Sequence, residues 1–283
     1  MNEGSQRVVR TELITPEPSE ALANLLGTGI PAGQLPPLWH WFYLLEKRPH
    51  ADLGRDGHPT FGIPAPPEPG QRRMFAGGRV STHAPLVFGR PATRTTWVAG
   101  TRQKQGSTGP LTFVTVRNEY SQDGRVLIVD ENDIVYRTPG SSLATQAGTL
   151  QDVPQQPPRE PALTLTADEA FLFRFSALTY NAHRIHYDHN WVREEGYGDL
   201  IVHGPLQALM MGELVRRHGN GLVGEQFAYR LVSPMIGPQT FTVSAGEEGV
   251  NAGAEVRGVH GNVTAVSTVV PIPPQEEAIP HIR

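Results

Sequence analysis

The chain has 283 residues and carries 24 Lys and Arg against 28 Asp and Glu, a net charge of −4. So mild a balance gives no basis for a nucleic-acid or membrane-surface partner. With no cysteine, a disulfide framework, a thiolate nucleophile and Cys-ligated zinc or iron–sulfur are all excluded.

The 30 glycines and 26 prolines imply frequent turns and a strand-rich chain rather than a helical bundle. Residues 1–20 lack the apolar stretch of a secretory signal, and their acids are unlike a transit peptide. No apolar run approaches the roughly 18 residues of a membrane span. The expectation is a cytoplasmic protein.

The first predicted element is a helix over Leu38–Glu46, with Pro36 and Pro37 at its start. A Gly/Pro-rich insertion follows at 48–75, either an ordinary surface loop or a cover for a groove. Runs rich in Val, Thr and aromatics then predict strands at Thr95–Gln103, Leu111–Tyr120 and Arg125–Tyr136. A linker is expected at 149–162, where four prolines favour extended backbone. It divides the chain into an N-terminal domain, 1–150, and a C-terminal domain, 160–283, each long enough to bury a core.

In the second half Pro205 opens a helix that continues to about His218 and stops at Gly219-Asn220-Gly221. Strands follow at Gln226–Val232, Thr240–Ala245, Ala254–Val259 and Asn262–Val270. The helix is apolar nearly all round: Leu206, Ala208, Leu209, Met210, Met211, Leu214 and Val215. A surface helix would show a narrower stripe, so the pattern suggests a sheet wrapped around a buried helix. Applied to both halves, it gives an α+β double hot dog, two antiparallel sheets each wrapped around a central helix. The trace of a repeat is slight: Pro85 and Gly89 in one half, Pro234 and Gly237 in the other. The alternative is an α+β protein with unrelated halves.

Four of the 11 histidines, His183, His186, His189 and His203, lie between residues 183 and 203. They admit three readings: a solvated polar loop, a metal cluster of His183, His186, Asp188 and His189, or a general-base site. Arg184 beside a divalent cation is repulsive, so no metal is expected.

For the third reading the wording is specific. Asn181-Ala182-His183-Arg184-Ile185-His186-Tyr187-Asp188, Phe175–Thr179 before it as a strand, and Val202-His203-Gly204-Pro205-Leu206 after it resemble the MaoC-like family of R-specific enoyl-CoA hydratases. ALTYNAHRIHYD together with PLWHW is similar to one double hot-dog branch. That branch holds mesaconyl-C4-CoA hydratase, itaconyl-CoA hydratase and mitochondrial 3-hydroxyacyl-thioester dehydratase.

The resemblance implies a carbon–oxygen lyase that reversibly hydrates a 2-enoyl-CoA thioester, with no cofactor beyond the CoA of its substrate. The expected substrate is a short branched or dicarboxylyl-CoA, and the alternatives are a 3-hydroxyacyl-thioester dehydratase of fatty-acid synthesis, or a thioesterase or non-catalytic acyl-CoA-binding module on the same fold. Such subunits often pair further, so a homo-oligomer is compatible. The chain departs from the family in having Asn181 where an aspartate is usual. An amide takes no proton at neutral pH, so the base role falls on His186, with Asn181 left to hold water or a carbonyl.

Asp188 could orient an imidazole or only cap the following turn, and His183 completes the catalytic candidates. Gly204 N–H, at a helix start with a partial positive charge, is the expected holder of the enolate oxygen. Arg184, Tyr180, His203 and Arg79 are the substrate-binding candidates, although Tyr180 is better suited to packing. Arg72, Arg73, Arg90 and Arg94 stand near Arg79. The first half shows no base-plus-oxyanion pair of its own, which makes it a degenerate half that shapes the acyl pocket.

Overall fold

The computed structural model describes residues 6–65, 71–106, 109–137 and 157–272. Its strands are β1 (Val8–Leu13), β2 (Arg72–Thr82), β3 (Pro91–Gly106), β4 (Gly109–Gln122), β5 (Arg125–Arg137), β6 (Ala162–Ala167), β7 (Glu225–Leu231), β8 (Gln239–Ala245), β9 (Ala254–Arg257) and β10 (Val263–Pro271). The helices are α1 (Glu17–Leu26), α2 (Glu169–Leu178), α3 (His189–Glu194) and α4 (Gly204–His218). None of the helices is long and apolar enough to cross a membrane.

All ten strands join one antiparallel sheet in the order β1-β3-β4-β5-β2-β7-β10-β9-β8-β6. Two separate sheets were expected; instead β2 pairs with β7, from Gly77↔Arg230 to Ser81↔Gln226, and carries the ladder across. On either side of that seam the order is the same: first, third, fourth, fifth, second. The repeat that the sequence barely shows is therefore explicit in the topology. Pro85/Gly89 and Pro234/Gly237 both lie in the connection between second and third strands, where Gly89 (φ 75°) and Gly237 (φ 83°) turn the chain.

The halves differ in what covers the sheet. In the second, α4 packs against β6 to β10 and is buried from Leu206 to Val215. Its acidic residue, Glu213, takes Arg216, Arg217 and the Trp39 indole N–H as partners, so the buried charge is matched.

The expected helix over 38–46 is instead a 3₁₀ turn, Trp39–Phe42. Leu38 (φ 71°) and Leu44 (φ 54°) sit in left-handed conformations that no α-helix tolerates. Trp39, Phe42, Tyr43 and Leu44 are all buried, which an irregular turn achieves on every side at once. Trp39 thus reaches the second half's rod, and no long helix covers the first half's sheet among the described residues.

A second correction concerns Phe175–Thr179, expected as a strand. The segment ends α2, whose buried Phe171, Leu172, Phe175 and Ser176 recur at helical spacing behind an Asp168 N-cap. Of the linker, 149–156 lie outside the described residues.

Candidate active site

The site starts where α2 ends. Tyr180, at φ 52°, turns the chain, and Asn181 Oδ1 accepts from His183 N at 3.0 Å to close the turn. A 3₁₀ turn, Arg184–His186, follows. Asp188 then caps α3 through Oδ1, accepting from Asn190 N and Trp191 N, while its Oδ2 binds Arg184 at 2.6 and 2.9 Å. Arg184 also stacks on Trp191 and donates to Arg55 O. The two charges hold this loop: among the described residues Asp188 makes its hydrogen bonds to Arg184 and the start of α3 rather than to an imidazole, and Arg184 is already engaged.

This scaffold lines up four imidazoles. His203, fully buried, is the N-cap of α4 and shares a 2.8 Å hydrogen bond with Ser176 Oγ. His186 stacks on it, with centroids 3.6 Å apart and planes at 16°. The His183 ring stands edge-on to His186 at 5.6 Å and lies 4.0 Å from His58. His186 Nδ1–H donates to Ile201 O at 2.7 Å, which leaves Nε2 as the basic atom. Beside it is the start of α4, whose first-turn N–H groups have no partner within the helix. A Cβ at Gly204 would lie 2.2 Å from Leu231 Cδ1, so glycine lets that side chain pack against the helix start.

His58 and Asp56 were missed by the sequence reading, which placed no base in the first half; both come from the 48–75 insertion. Asp56 Oδ1 accepts from His58 N and Oδ2 from His58 Nδ1–H, each at 2.9 Å. The insertion docks on the motif, with Arg184 N donating to Asp56 O at 2.9 Å. An Asp-x-His triplet inside a turn-rich stretch was the available signal. Asp56, His58 and His183 bring one donor atom each to within 4.8 Å of one another.

Burial holds all four rings neutral. His186 is pushed down to about 4 and His183 to about 2, the latter also by the neighbouring His58 and His186. His203 lies well below the ordinary histidine value, and His58 is lowered as well, against the pull of Asp56.

The unfolded chain takes up these protons near pH 6.5 while the native state refuses them, so stability is complete above that pH and falls as pH drops toward 4. Each such histidine adds up to about 1.4 kcal/mol per pH unit. Urea unfolding at pH 7.5 and pH 5 should show a clear loss at the lower value, and equal midpoints would refute neutral burial.

Two cavities flank the end of α2. One, of about 360 Å³, is lined by the insertion and the motif, including His58, Ser176, Tyr180 and Asn181. The other, of about 330 Å³, lies on the first half's uncovered sheet face and reaches Thr179 and Pro205 at the start of α4. Glu46 lines both. Arg79 lines a separate cavity and pairs with Glu131 and Asp133.

Residues 38–237 match the family "Hydroxyacyl-thioester dehydratase type 2". The chain belongs to this family. It is 44% identical over 240 residues to mesaconyl-C4-CoA hydratase of Chloroflexus aurantiacus, 83% of each chain. A more distant relative is the mitochondrial hydroxyacyl-thioester dehydratase type 2 of Schizosaccharomyces pombe, 21% identical over 87% of this chain and 92% of the other. The fold is that of the MaoC-like dehydratases. HtdX of Mycobacterium tuberculosis superposes with a TM-score of 0.66 at 17% identity, covering 94% of this chain and all of that one. This family member is a carbon–oxygen lyase of the hydratase/dehydratase type.

Proposed function

We propose that the protein is a cytoplasmic double hot-dog hydratase that adds water reversibly to a short dicarboxylyl 2-enoyl-CoA such as mesaconyl-C4-CoA. One observation carries the chemistry: the His186 ring stacks 3.6 Å from the N-cap residue of α4, which brings a bare imidazole nitrogen to a helix start. Hydration needs both groups. His186 Nε2 takes a proton from water as the oxygen bonds to C3, and the C2–C3 electron pair moves toward the thioester oxygen. The Gly204 N–H meets the charge that develops there, and His186 returns the proton to C2. One base serving both carbons makes the addition syn. No cofactor beyond the substrate's own CoA enters the scheme.

The acyl group fits the cavity on the first half's sheet, and that cavity supports a carboxylated chain. Arg10 and Arg94 are register partners on β1 and β3, and both line it. Like charges directly opposite one another are destabilising, and each Nε is buried without a hydrogen-bond partner. Arg10 is already paired with Glu46 through Nη2 at 3.0 Å, so Arg94, whose Nε stays open, is the cation offered to a substrate anion. Loss of enoyl absorbance should therefore be fast with carboxylated esters and slow with straight-chain ones.

Arg94→Gln should raise KM for the carboxylated ester about 10- to 100-fold, the value of one charge-assisted hydrogen bond, and leave a straight-chain ester unaffected. Preference for medium straight chains would instead indicate a dehydratase of fatty-acid synthesis. Thiol release with the alkene intact would indicate a thioesterase.

A further inference from the structure

We propose that His58, oriented by Asp56, is a catalytic residue, and that its imidazole and that of His183 hold the attacking water. This rests on the hydratase reading above and extends the acid–base centre to both halves of the chain. The two rings lie 4.0 Å apart, and with Asp56 they gather donor atoms within 4.8 Å. A water that donates one O–H to His58 Nε2 and accepts from the protonated nitrogen of His183, with bonds of about 2.8 Å, spans about 4.6 Å between its partners and keeps its second O–H for His186. His58 lines the insertion-side cavity with Asn181, across the end of α2 from the cavity given to the acyl chain.

The bonding explains why His58 suits this task. Its Nδ1–H is committed to the Asp56 carboxylate at 2.9 Å, so Nε2 is a bare acceptor in a fixed tautomer. Asn181, the motif's own polar group on this cavity, exchanges no proton, and its Oδ1 is used in the turn with His183 N. In the hydration step the oxygen of the held water bonds to C3, and one O–H proton passes to His186 Nε2 and on to C2. The second O–H remains on the product as the 3-hydroxyl, still donating to the imidazole that held it. No other reactant is required.

The insertion is built for this placement. Arg184 N grips Asp56 O, and Gly57 passes so close to the motif that a Cβ would lie 1.8 Å from Ala182 O. Two imidazoles and a carboxylate are also a donor set for a divalent cation. Against that, the Asp56 carboxylate already accepts the His58 proton, and the Arg73 guanidinium presses electrostatically on both rings.

The test uses the full-length enzyme with whichever enoyl-CoA it hydrates best. His58→Ala should lower kcat about 100-fold, with KM within threefold and the thermal midpoint little changed. Added imidazole should restore at least tenfold of that loss, which a merely structural role would not allow. If the alanine variant does not fold, His58→Gln substitutes for it and should show the same kcat loss. Wild-type kcat in a folded His58 variant overturns the assignment. So does one equivalent of metal in the purified enzyme together with inactivation by EDTA. A wild-type enzyme that hydrates no enoyl-CoA would overturn the hydratase reading itself, an outcome distinct from an active enzyme indifferent to His58.

Discussion

Replacing His186 by alanine should lower hydration turnover by about 10²- to 10⁴-fold, the usual contribution of a positioned acid–base group. The ring is almost wholly buried, clamped between the Ile201 carbonyl and the face of His203, with its Nδ1–H committed to that carbonyl. Burial that pushes its pKa down to about 4 keeps it in the basic form throughout the neutral range. Its removal also strands the Ile201 carbonyl, at a stability cost of about 1–3 kcal/mol.

His186→Gln separates the two effects, because a side-chain amide can still donate to that carbonyl. It should recover stability but not turnover. Steady-state kinetics alongside thermal unfolding measure both, and hydration near the wild-type rate in either variant would remove His186 from the mechanism. Carried out in deuterated water, the wild-type reaction should place deuterium and hydroxyl on the same face; anti addition would require a second, opposed base.

Gly57→Ala should be nearly as damaging, although the residue carries no chemistry. At φ 87° it occupies backbone space that alanine adopts only at a cost of about 1–2 kcal/mol. The larger obstacle is the Ala182 carbonyl, which a new Cβ would meet at 1.8 Å, on backbone atoms that cannot rotate away. The insertion must then lift off the motif and carry Asp56 and His58 with it. A displacement of about 1 Å at a reacting group costs on the order of 10² in rate, and that is the expected fall in kcat. The sheet is untouched, so circular dichroism should be preserved. Gly29→Ala, where a Cβ meets nothing within 4 Å, is the matched control and should be silent. Unchanged kcat in Gly57→Ala would show that the insertion is not part of the active site.

The readability of these features in the sequence followed physical lines. Strands β3, β4, β5, β7, β8, β9 and β10 are legible from their strand-forming runs between glycine turns, and α4 from its unbroken apolar surface. Helix α2 was hidden because Phe173 faces solvent among buried phenylalanines, which blurs the stripe. Edge strand β1 alternates half-buried with exposed residues and carries two charges, which dulls its pattern. The histidine motif was legible because its parts are neighbours in the chain. His58 was not, since its position beside His183 arises only when a distant loop docks. The turn at Trp39 is a tertiary override: its aromatics bury more fully by bending than by coiling.

The sheet face left without a rod has a consequence for how this lineage can diversify. The loops that carry the imidazoles interlock at backbone distances and leave little room for variation. Strands β2 to β5 instead present side chains toward an open hollow, where one residue can be exchanged without disturbing its neighbours' hydrogen-bond ladder. With the acyl chain placed there as proposed, taste for a new acyl group and retention of the chemistry would fall to separate stretches of one polypeptide.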